Sequence, residues 1–211
     1  YFNQSGTPQA GLVQKSVPNE DIKWETTRNI NVGIDLGFLD NKITTSFEWF
    51  DRKTSDILMQ LSMPGMFLGS LSAPYQNVGE VRNRGWEWSA NYQDHRGDWG
   101  WYAGFNVTHV NNEILYMGGL EERISGSTIN RVGDPINSYY AYKAIGIYRT
   151  EADLNRTNSK GEKIKQNGQE PKLGDIMYQD TNDDGNITPD DRVIIGNPFP
   201  KYSFGFNIGG S

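Results

Sequence analysis

Alternating apolar and polar residues mark the first regular part of the chain. In the range 29–38 every even position is apolar, and in 43–49 the odd positions are Ile, Thr, Phe and Trp. A period of two predicts β-strands. Asp40 and Asn41, which lie between the two ranges, tolerate the positive φ of a tight turn. A two-residue turn there predicts a hairpin with all apolar side chains on one face, pairing Phe38 with Ile43, Leu36 with Thr45 and Ile34 with Phe47.

A second hairpin and a fifth strand show the same period. The even positions of 86–92 and the odd positions of 99–107 are Trp, Tyr, Phe, Val or Ala, and the polar segment 94–98 separates the two ranges. Folding the chain about that segment predicts that Tyr92 pairs with Trp99. A fifth apolar set with the same spacing follows near the end of the sequence, consisting of Tyr202, Phe204, Phe206 and Ile208.

Two long stretches, 51–80 and 111–200, have no clear period. Loops of this length count against a compact soluble domain, whereas outer-membrane barrels combine short turns on one side with long loops on the other. We therefore predict an extracellular loop at 51–80 and a large extracellular region at 111–200. The strand that begins near Lys201 then runs antiparallel to the fourth strand.

The apolar side of these five strands comprises 22 positions and carries no charged residue. A sandwich core and a lipid-facing surface would both be uncharged. The opposite side is mostly Gly, Asn, Ser and Thr, which is unusual for a solvent-exposed sheet and typical of a hydrated barrel interior. We therefore favour an all-β antiparallel meander within a transmembrane β-barrel. Because five strands cannot close a barrel, we expect the chain to be part of a larger protein.

Charge is distributed unevenly along the 211 residues. The sequence has 26 acidic and 20 basic residues, a formal net charge of −6, and no cysteine. A net acidic chain argues against nucleic acid as a partner, because phosphate binding needs a clustered basic surface, and the absence of cysteine excludes thiolate metal sites and disulfides. The segment 175–191 contains six acidic residues and no basic residue, so this segment accounts for the whole net charge.

The segment 180–191 matches the D-x-[DN]-x-[DN]-G pattern of a calcium loop. Such loops bind a hard cation through oxygens at positions 1, 3, 5, 7, 9 and 12, with Gly at position 6 for the sharp turn. Position 12 is Asp where EF-hands have Glu, and clear flanking helices are absent. We predict a structural Ca²⁺ site; the alternative is an Asx-rich turn held by its own hydrogen bonds. The predicted ligands are Asp180, Asn182, Asp184, Asn186 (carbonyl), Thr188 and Asp191.

Several short blocks, in this order along the chain, resemble the SusC/RagA family of TonB-dependent outer-membrane transporters. They cover most of the range 22–208 and comprise WETT at 24–27, NVGID at 31–35, NVGEVRNRGWE at 77–87, VGDPI at 132–136, GIY at 146–148, GDI at 174–176, DTNDDG at 180–185 and IGNP at 195–198.

The resemblance implies that residues 1–211 form the C-terminal part of a 22-stranded barrel in the outer membrane of a Gram-negative bacterium. Such transporters import nutrients such as oligosaccharides or peptides. Their implied partners are a SusD-like surface lipoprotein, outer-membrane lipid, and TonB, which contacts the N-terminal part that this sequence lacks. The resemblance implies no catalytic residue and no enzymatic activity, and the substrate-binding residues cannot be assigned from the sequence.

Two other classes of protein compete with the transporter. One is a soluble calcium-dependent β-sandwich that binds carbohydrate, and the other is a secreted glycoside hydrolase fragment. A sandwich would enclose Phe47, Trp88 and Phe105 between two layers. No nucleophile elbow, P-loop or dinucleotide-binding motif is present in the sequence.

Overall fold

The computed structural model describes residues 18–60 and 71–210. Five long strands form one antiparallel sheet in the order β1-β2-β3-β4-β13. We call this sheet the meander. Its strands are β1 (Thr26–Phe38), β2 (Ile43–Gln60), β3 (Tyr75–Arg96), β4 (Trp99–Met117) and β13 (Tyr202–Gly210).

The first hairpin has the predicted register. The pairs Phe38–Ile43, Leu36–Thr45 and Ile34–Phe47 are all present. Asp40 and Asn41 adopt φ values of 55° and 62°, the left-handed conformation that this type of turn requires and that Asn and Asp adopt more readily than most residues.

The register predicted for the second hairpin was wrong by four residues. Tyr92 pairs with Ala103 rather than with Trp99, and the ladder continues until Arg96 faces Trp99. The reversal takes place at Gly97, whose φ is +63°. The polar residues before it stay in the ladder because backbone hydrogen bonds do not depend on apolar side chains. Since the shift is an even number of residues, every apolar side chain remains on the predicted face.

The strands are longer than the alternation indicates. The irregular stretches were predicted at 51–80 and 111–200, but β2 continues to Gln60, β3 begins at Tyr75 and β4 ends at Met117. Residues 52–56 are polar on both faces of β2 and residues 57–59 are apolar on both, so the alternating signal disappears while the pairing continues. The centre of the first stretch, 61–70, lies outside the described residues.

The meander is a single layer. Phe47 and Trp88 remain 43% and 40% exposed, and the part of the chain that the structure describes supplies no second sheet over their face. The enclosed core that a sandwich requires is therefore not observed. In the described residues β1 and β13 each pair along one side only, so the sheet is open at both edges. We call the end with the two tight turns the turn end, and the opposite end the insert end.

Residues 118–200, which we call the insert, leave β4 and return to β13. Its tyrosine-rich part, Ser138–Tyr142 and Ala144–Ile147, is extended. The insert contains two 3₁₀ turns, Asp153–Asn155 and Pro189–Asp191. Its strands are β5 (Glu122–Ser125), β6 (Thr128–Arg131), β7 (Ser138–Tyr142), β8 (Ala144–Ile147), β9 (Lys165–Gln166), β10 (Ile176–Tyr178), β11 (Asn186–Ile187) and β12 (Arg192–Gly196).

These short strands form a four-stranded sheet, β12-β7-β6-β5, and two small pairs, β8 with β10 and β9 with β11. The β9/β11 pair is parallel, in contrast to the rest of the structure. The insert has a core of its own, with fully or almost fully buried side chains at Ile129, Tyr148, Ile164 and Ile187.

Backbone and asparagine contacts attach the insert to β4. The Ile114 N–H donates to the Asp134 carbonyl (3.0 Å), and the Gly133 N–H donates to the Ile114 carbonyl (2.8 Å). Asn112 accepts a hydrogen bond from the Ile136 N–H at 2.8 Å. These bonds cover the part of β4 that extends past β13. Among the described residues no helix has the length and hydropathy needed to cross a membrane.

Candidate functional site

The uncharged face of the meander is a continuous surface that crosses all five strands. One row runs through its centre and consists of Ile34, Phe47, Trp88, Val107 and Phe204. Along β3 the nearest charged side chains on this face are Arg84 and Asp94, ten residues apart. Ten strand residues span about 33 Å, or about 25 Å at the usual tilt of a membrane barrel. That height equals the apolar band of outer-membrane barrels.

Aromatic rings border this face at both ends. At the insert end the register aligns Trp49, Trp86, His109 and Tyr202 in one row, and the His109 ring lies 4.7 Å from that of Tyr202. Tyr92 and Trp101 lie close to the turn end, with ring centroids 4.7 Å apart. Two aromatic girdles at the lipid–water interfaces are typical of membrane barrels.

The Thr45 hydroxyl, in the middle of this face, has hydrogen-bond partners within the sheet. Thr45 donates its hydroxyl hydrogen to the Ser89 carbonyl at 2.8 Å and accepts the Trp88 indole N–H at 2.8 Å. A polar atom without a partner would cost several kcal/mol in hydrocarbon. This arrangement lets a threonine and a tryptophan lie together on an apolar surface.

The opposite face is lined by small polar side chains. Gly104 packs so closely that an added Cβ would lie within 3.0 Å of the amide groups of Asn207 and Asn91. Two carboxylates, Glu48 and Glu87, stand directly opposite each other in the register. Such a surface is hydrated rather than packed as a core, which fits the interior side of a barrel wall.

The structure brings three of the six predicted metal ligands together. Carboxylate oxygens of Asp180, Asp184 and Asp191 all lie within 4.8 Å of one another. Asp191 is completely buried, and its two oxygens accept hydrogen bonds from the Thr181 and Thr188 N–H groups, each at 2.8 Å. Hard oxygen donors at this spacing suit Ca²⁺.

The other three predicted ligands make different contacts. Asn182 donates to Asp184 Oδ2 at 2.9 Å, and Thr188 caps the 3₁₀ turn by accepting the Asp190 N–H. The side chain of Asn186 accepts the Gly168 N–H at 2.7 Å. The backbone carbonyls of Gly185 and Ile187 accept bonds from the β9 strand and its neighbour. The intervening Asn186 carbonyl therefore points away from β9, because successive carbonyls alternate along a strand.

The loop's hydrogen bonds also fit the alternative of an Asx-rich turn. Asp180 accepts the Gly185 N–H at 2.9 Å and the Asp184 N–H at 3.3 Å. Gly185 has φ +78°, as the sharp turn at loop position 6 requires. The donor set therefore fits a cation, while the turn is also held by contacts that need none.

A contact that no sequence pattern predicts fixes the loop to a distant turn. Asp183, at φ +59°, accepts the Ser159 N–H at 2.9 Å and also the Ser159 hydroxyl. These two donors hold the pKa of Asp183 below its ordinary value of 3.8. The two residues are 24 positions apart, and no local pattern connects them.

Comparison with known proteins shows the family. The family described as "TonB dependent receptor-like, beta-barrel" matches residues 1–163, which is more than half of the chain. The chain belongs to this TonB-dependent receptor family, whose members are transporters rather than enzymes. The open, antiparallel meander is therefore part of the β-barrel of such a receptor.

Relatives within the family include SusC. The chain is 29% identical to TonB-dependent receptor SusC of Bacteroides thetaiotaomicron over 195 residues, covering 85% of this chain and 17% of SusC. It is 26% identical to TonB-dependent receptor P26 of Formosa agariphila over 211 residues, covering 96% of this chain and 20% of P26. The chain thus spans about a fifth of the length of its curated relatives.

Solved structures confirm the fold. The RagAB peptide transporter matches with a TM-score of 0.72 and 24% identity, over 97% of this chain and 22% of the matched chain. The open-open state of the RagAB peptide importer matches with a TM-score of 0.74. The predicted resemblance to the SusC/RagA family is confirmed.

Proposed function

We propose that this chain forms part of the wall of a SusC-like outer-membrane transporter that imports nutrients with energy from TonB. The observation that carries the proposal is the uncharged face, about 25 Å tall and bordered by aromatic rows at both ends. Membership of the TonB-dependent receptor family supports it. In this proposal the remaining strands of a 22-stranded barrel pair with the open edges of β1 and β13, and the chain itself has no enzymatic role.

The orientation follows from the lengths of the connections. Barrels of Gram-negative outer membranes have short periplasmic turns and long extracellular loops, so the turn end would face the periplasm and the insert would lie outside. We propose that a SusD-like lipoprotein contacts the outer side and that the cargo is an oligosaccharide or a peptide. The similarity to SusC and to a transporter described as carrying peptides supports these assignments.

Neighbouring residues with opposite orientations provide a direct test of the lipid-facing surface. This chain has no cysteine, so a single cysteine can be introduced at Phe47 or Ser46 of the complete transporter once any cysteine outside the chain has been replaced. Each would carry a fluorophore in lipid vesicles containing a nitroxide on the acyl chain. We expect strong quenching for the Phe47→Cys protein and weak quenching for the Ser46→Cys protein, because successive residues of a strand point to opposite faces.

Positions 46 and 47 are adjacent in β2, so a difference in quenching between them reports which face of the strand contacts lipid. Equal quenching at both positions, or stronger quenching at position 46, would overturn the lipid-facing assignment. Fractionation gives a second measurement on the unmodified protein: we expect it in the outer-membrane pellet, extracted only by detergent. Recovery in the soluble fraction would contradict the proposal.

We also propose that the loop 180–191 binds Ca²⁺ with a structural role. The three convergent carboxylates support this assignment. Within the described residues none of them forms an ion pair with a Lys or Arg that would neutralise its charge. The carboxylates would hold the cation, assisted by the oxygens of Asn182, Asn186 and Thr188. The cation would neutralise the cluster and fix the insert in place.

A calcium titration of the complete transporter tests the metal site. We expect Ca²⁺ to raise the melting temperature of the insert, and the Asp184→Asn substitution to remove most of that rise. Asp190→Asn is the matched control, because Asp190 lies outside the predicted ligand set. A melting temperature that does not respond to Ca²⁺, or an equal loss in both variants, would leave the Asx-rich turn as the explanation.

A further inference from the structure

Basic side chains cluster on the outward face of the meander, immediately beyond the apolar band at its insert end. Arg28, Lys53 and Arg82 lie in one row across β1, β2 and β3. The next row towards the turn end places Arg84 opposite Asp51. All of these residues occupy the same face as the apolar set, because they continue the same alternation along the strands.

Only part of this positive charge is neutralised by neighbouring carboxylates. Arg82 makes a bidentate ion pair with Asp51, in which Nε donates to Oδ1 at 2.9 Å. Lys53 bonds Glu80 at 2.7 Å. Glu113 stands opposite Arg82 in the register. Arg28 and Arg84 make no ion pair within residues 18–60 and 71–210.

The cluster surrounds a recess that is lined by both charged and apolar side chains. A cavity of about 370 Å³ is lined by Arg28, Lys53, Arg82 and Asp51, together with the apolar side chains of Ile30 and Leu115. Arg84 is not part of the lining but stands opposite Asp51 in the register of β2 and β3. Guanidinium groups match the geometry and charge of phosphate, while the apolar residues continue the surface that faces lipid chains. An amphiphile with a phosphate head and an acyl tail fits this combination.

We propose that this cluster is a binding site for the phosphate headgroup of a membrane lipid. The inference rests on the proposed function, because only a membrane-inserted sheet presents the cluster to headgroups. Charge complementarity and continuity with the apolar band select a lipid over a soluble anion. The Asp51–Arg82 pair orients one guanidinium, and Arg28 and Arg84, which make no ion pair within the described residues, supply the net attraction.

Lipid retention by the complete transporter, measured by native mass spectrometry in detergent, tests this site. The probes are phosphatidic acid and a diacylglycerol with the same acyl chains, so that they differ only in the phosphate. We expect preferential retention of phosphatidic acid. The double substitution R28Q/R84Q should weaken it by about fivefold for each arginine removed. Neither substitution leaves a carboxylate without its partner, so the fold should be retained.

Arg96→Gln is the matched control. Arg96 lies on the same face of β3, at the turn end and outside the cluster, and its substitution should leave retention unchanged. Three results would overturn the proposal. These are equal binding of diacylglycerol, an equal loss of retention in the Arg96→Gln protein, and full displacement of the lipid by inorganic phosphate at matched concentration, which would indicate a site for free anions.

Vesicle flotation distinguishes a failure of the lipid site from a failure of the proposed function. A protein that inserts but retains no lipid contradicts only this site, whereas one that does not insert contradicts the proposed function.

Discussion

The meander and the insert use apolar side chains in opposite ways within one chain. The meander exposes its apolar residues in a single layer, and side chains such as Phe204 are 77% exposed. The insert leaves some apolar residues exposed but buries others almost completely, among them Ile129 and Tyr148. The difference fits the surroundings proposed for the two regions, with hydrocarbon around the meander and water around the insert.

Polar groups follow the same division. In the insert, buried or half-buried carboxylates such as Asp191 accept several backbone N–H groups, which compensates for the loss of water. On the apolar face of the meander the polar contact at its centre is the closed Thr45–Trp88–Ser89 arrangement. The cost of a substitution in free energy of unfolding should therefore depend on whether the side chain lies in the packed core of the insert or on the apolar face of the meander.

The largest expected effect concerns the core of the insert. Replacing Ile129, which has no exposed surface, by Ala should lower the free energy of unfolding of the insert by about 2–5 kcal/mol through the cavity left behind. Ile124 pairs with Ile129 across the β5/β6 hairpin but is 43% exposed, so its replacement by Ala should cost less than about 0.5 kcal/mol. Denaturant titration followed by hydrogen exchange would measure both, and similar costs would contradict a separate core.

The second effect is expected at the centre of the apolar face. Phe47→Lys places a charge in the middle of the proposed lipid contact and should destabilise the protein in vesicles by about 2–4 kcal/mol. Ser46→Lys, one residue away on the opposite face, should cost less than about 1 kcal/mol, because the charge stays hydrated. Guanidinium unfolding in lipid vesicles would measure the difference. If Lys were tolerated equally at both positions, the contrast between the two faces would be wrong.

The alternation of the sequence was sufficient to predict the faces of the meander but not every register. A shift of two or four residues keeps each side chain on its face, so the apolar pattern alone does not select among such registers. The first hairpin was predicted correctly because Asp40 and Asn41 are confined to a short turn. In the second, five polar residues offered several turns, and Gly97 was the position that adopts positive φ.

In the acidic loop, too, the sequence pattern predicts some contacts and not others. Its spacing predicted a group of ligands, and the structure brings Asp180, Asp184 and Asp191 together. The contact between Asp183 and Ser159 depends on how the insert folds back on itself, and no local spacing encodes it. The lengths of β2, β3 and β4 were underestimated for a physical reason too: backbone pairing continues where apolar and polar side chains no longer alternate.

A smaller effect is expected from close backbone packing in the meander. A Cβ added at Gly85 would lie 2.0 Å from the His109 carbonyl oxygen and 2.9 Å from the Phe50 ring. Gly85→Ala should therefore cost about 1–3 kcal/mol by overpacking. At Gly33 the nearest atom, the Phe47 carbonyl oxygen, would be 3.3 Å away, so Gly33→Ala is the milder control. Unfolding in vesicles would rank the two variants, and equal stability would contradict the close approach at Gly85.

The smallest effect is a pH dependence at the 3₁₀ turn Asp153–Asn155 of the insert. Asp153 accepts the Arg149 and Thr150 N–H groups at 2.9 and 2.8 Å. These donors hold the pKa of Asp153 below its ordinary value of 3.8. Because the folded protein binds this proton less readily than the unfolded chain, the contribution to stability is complete above about pH 4. It is lost as the pH falls through the lowered value.

Hydrogen exchange around the 3₁₀ turn at Asp153–Asn155, corrected for the intrinsic rate, would detect this loss between pH 5 and pH 2. Asp153→Asn is the informative variant, because the amide oxygen can still accept both hydrogen bonds but carries no titrating charge. We expect the wild-type turn to lose protection below about pH 4 and the variant to change little over the same range. Parallel loss of protection in the wild type and in the variant would assign the acid sensitivity to another group in the insert.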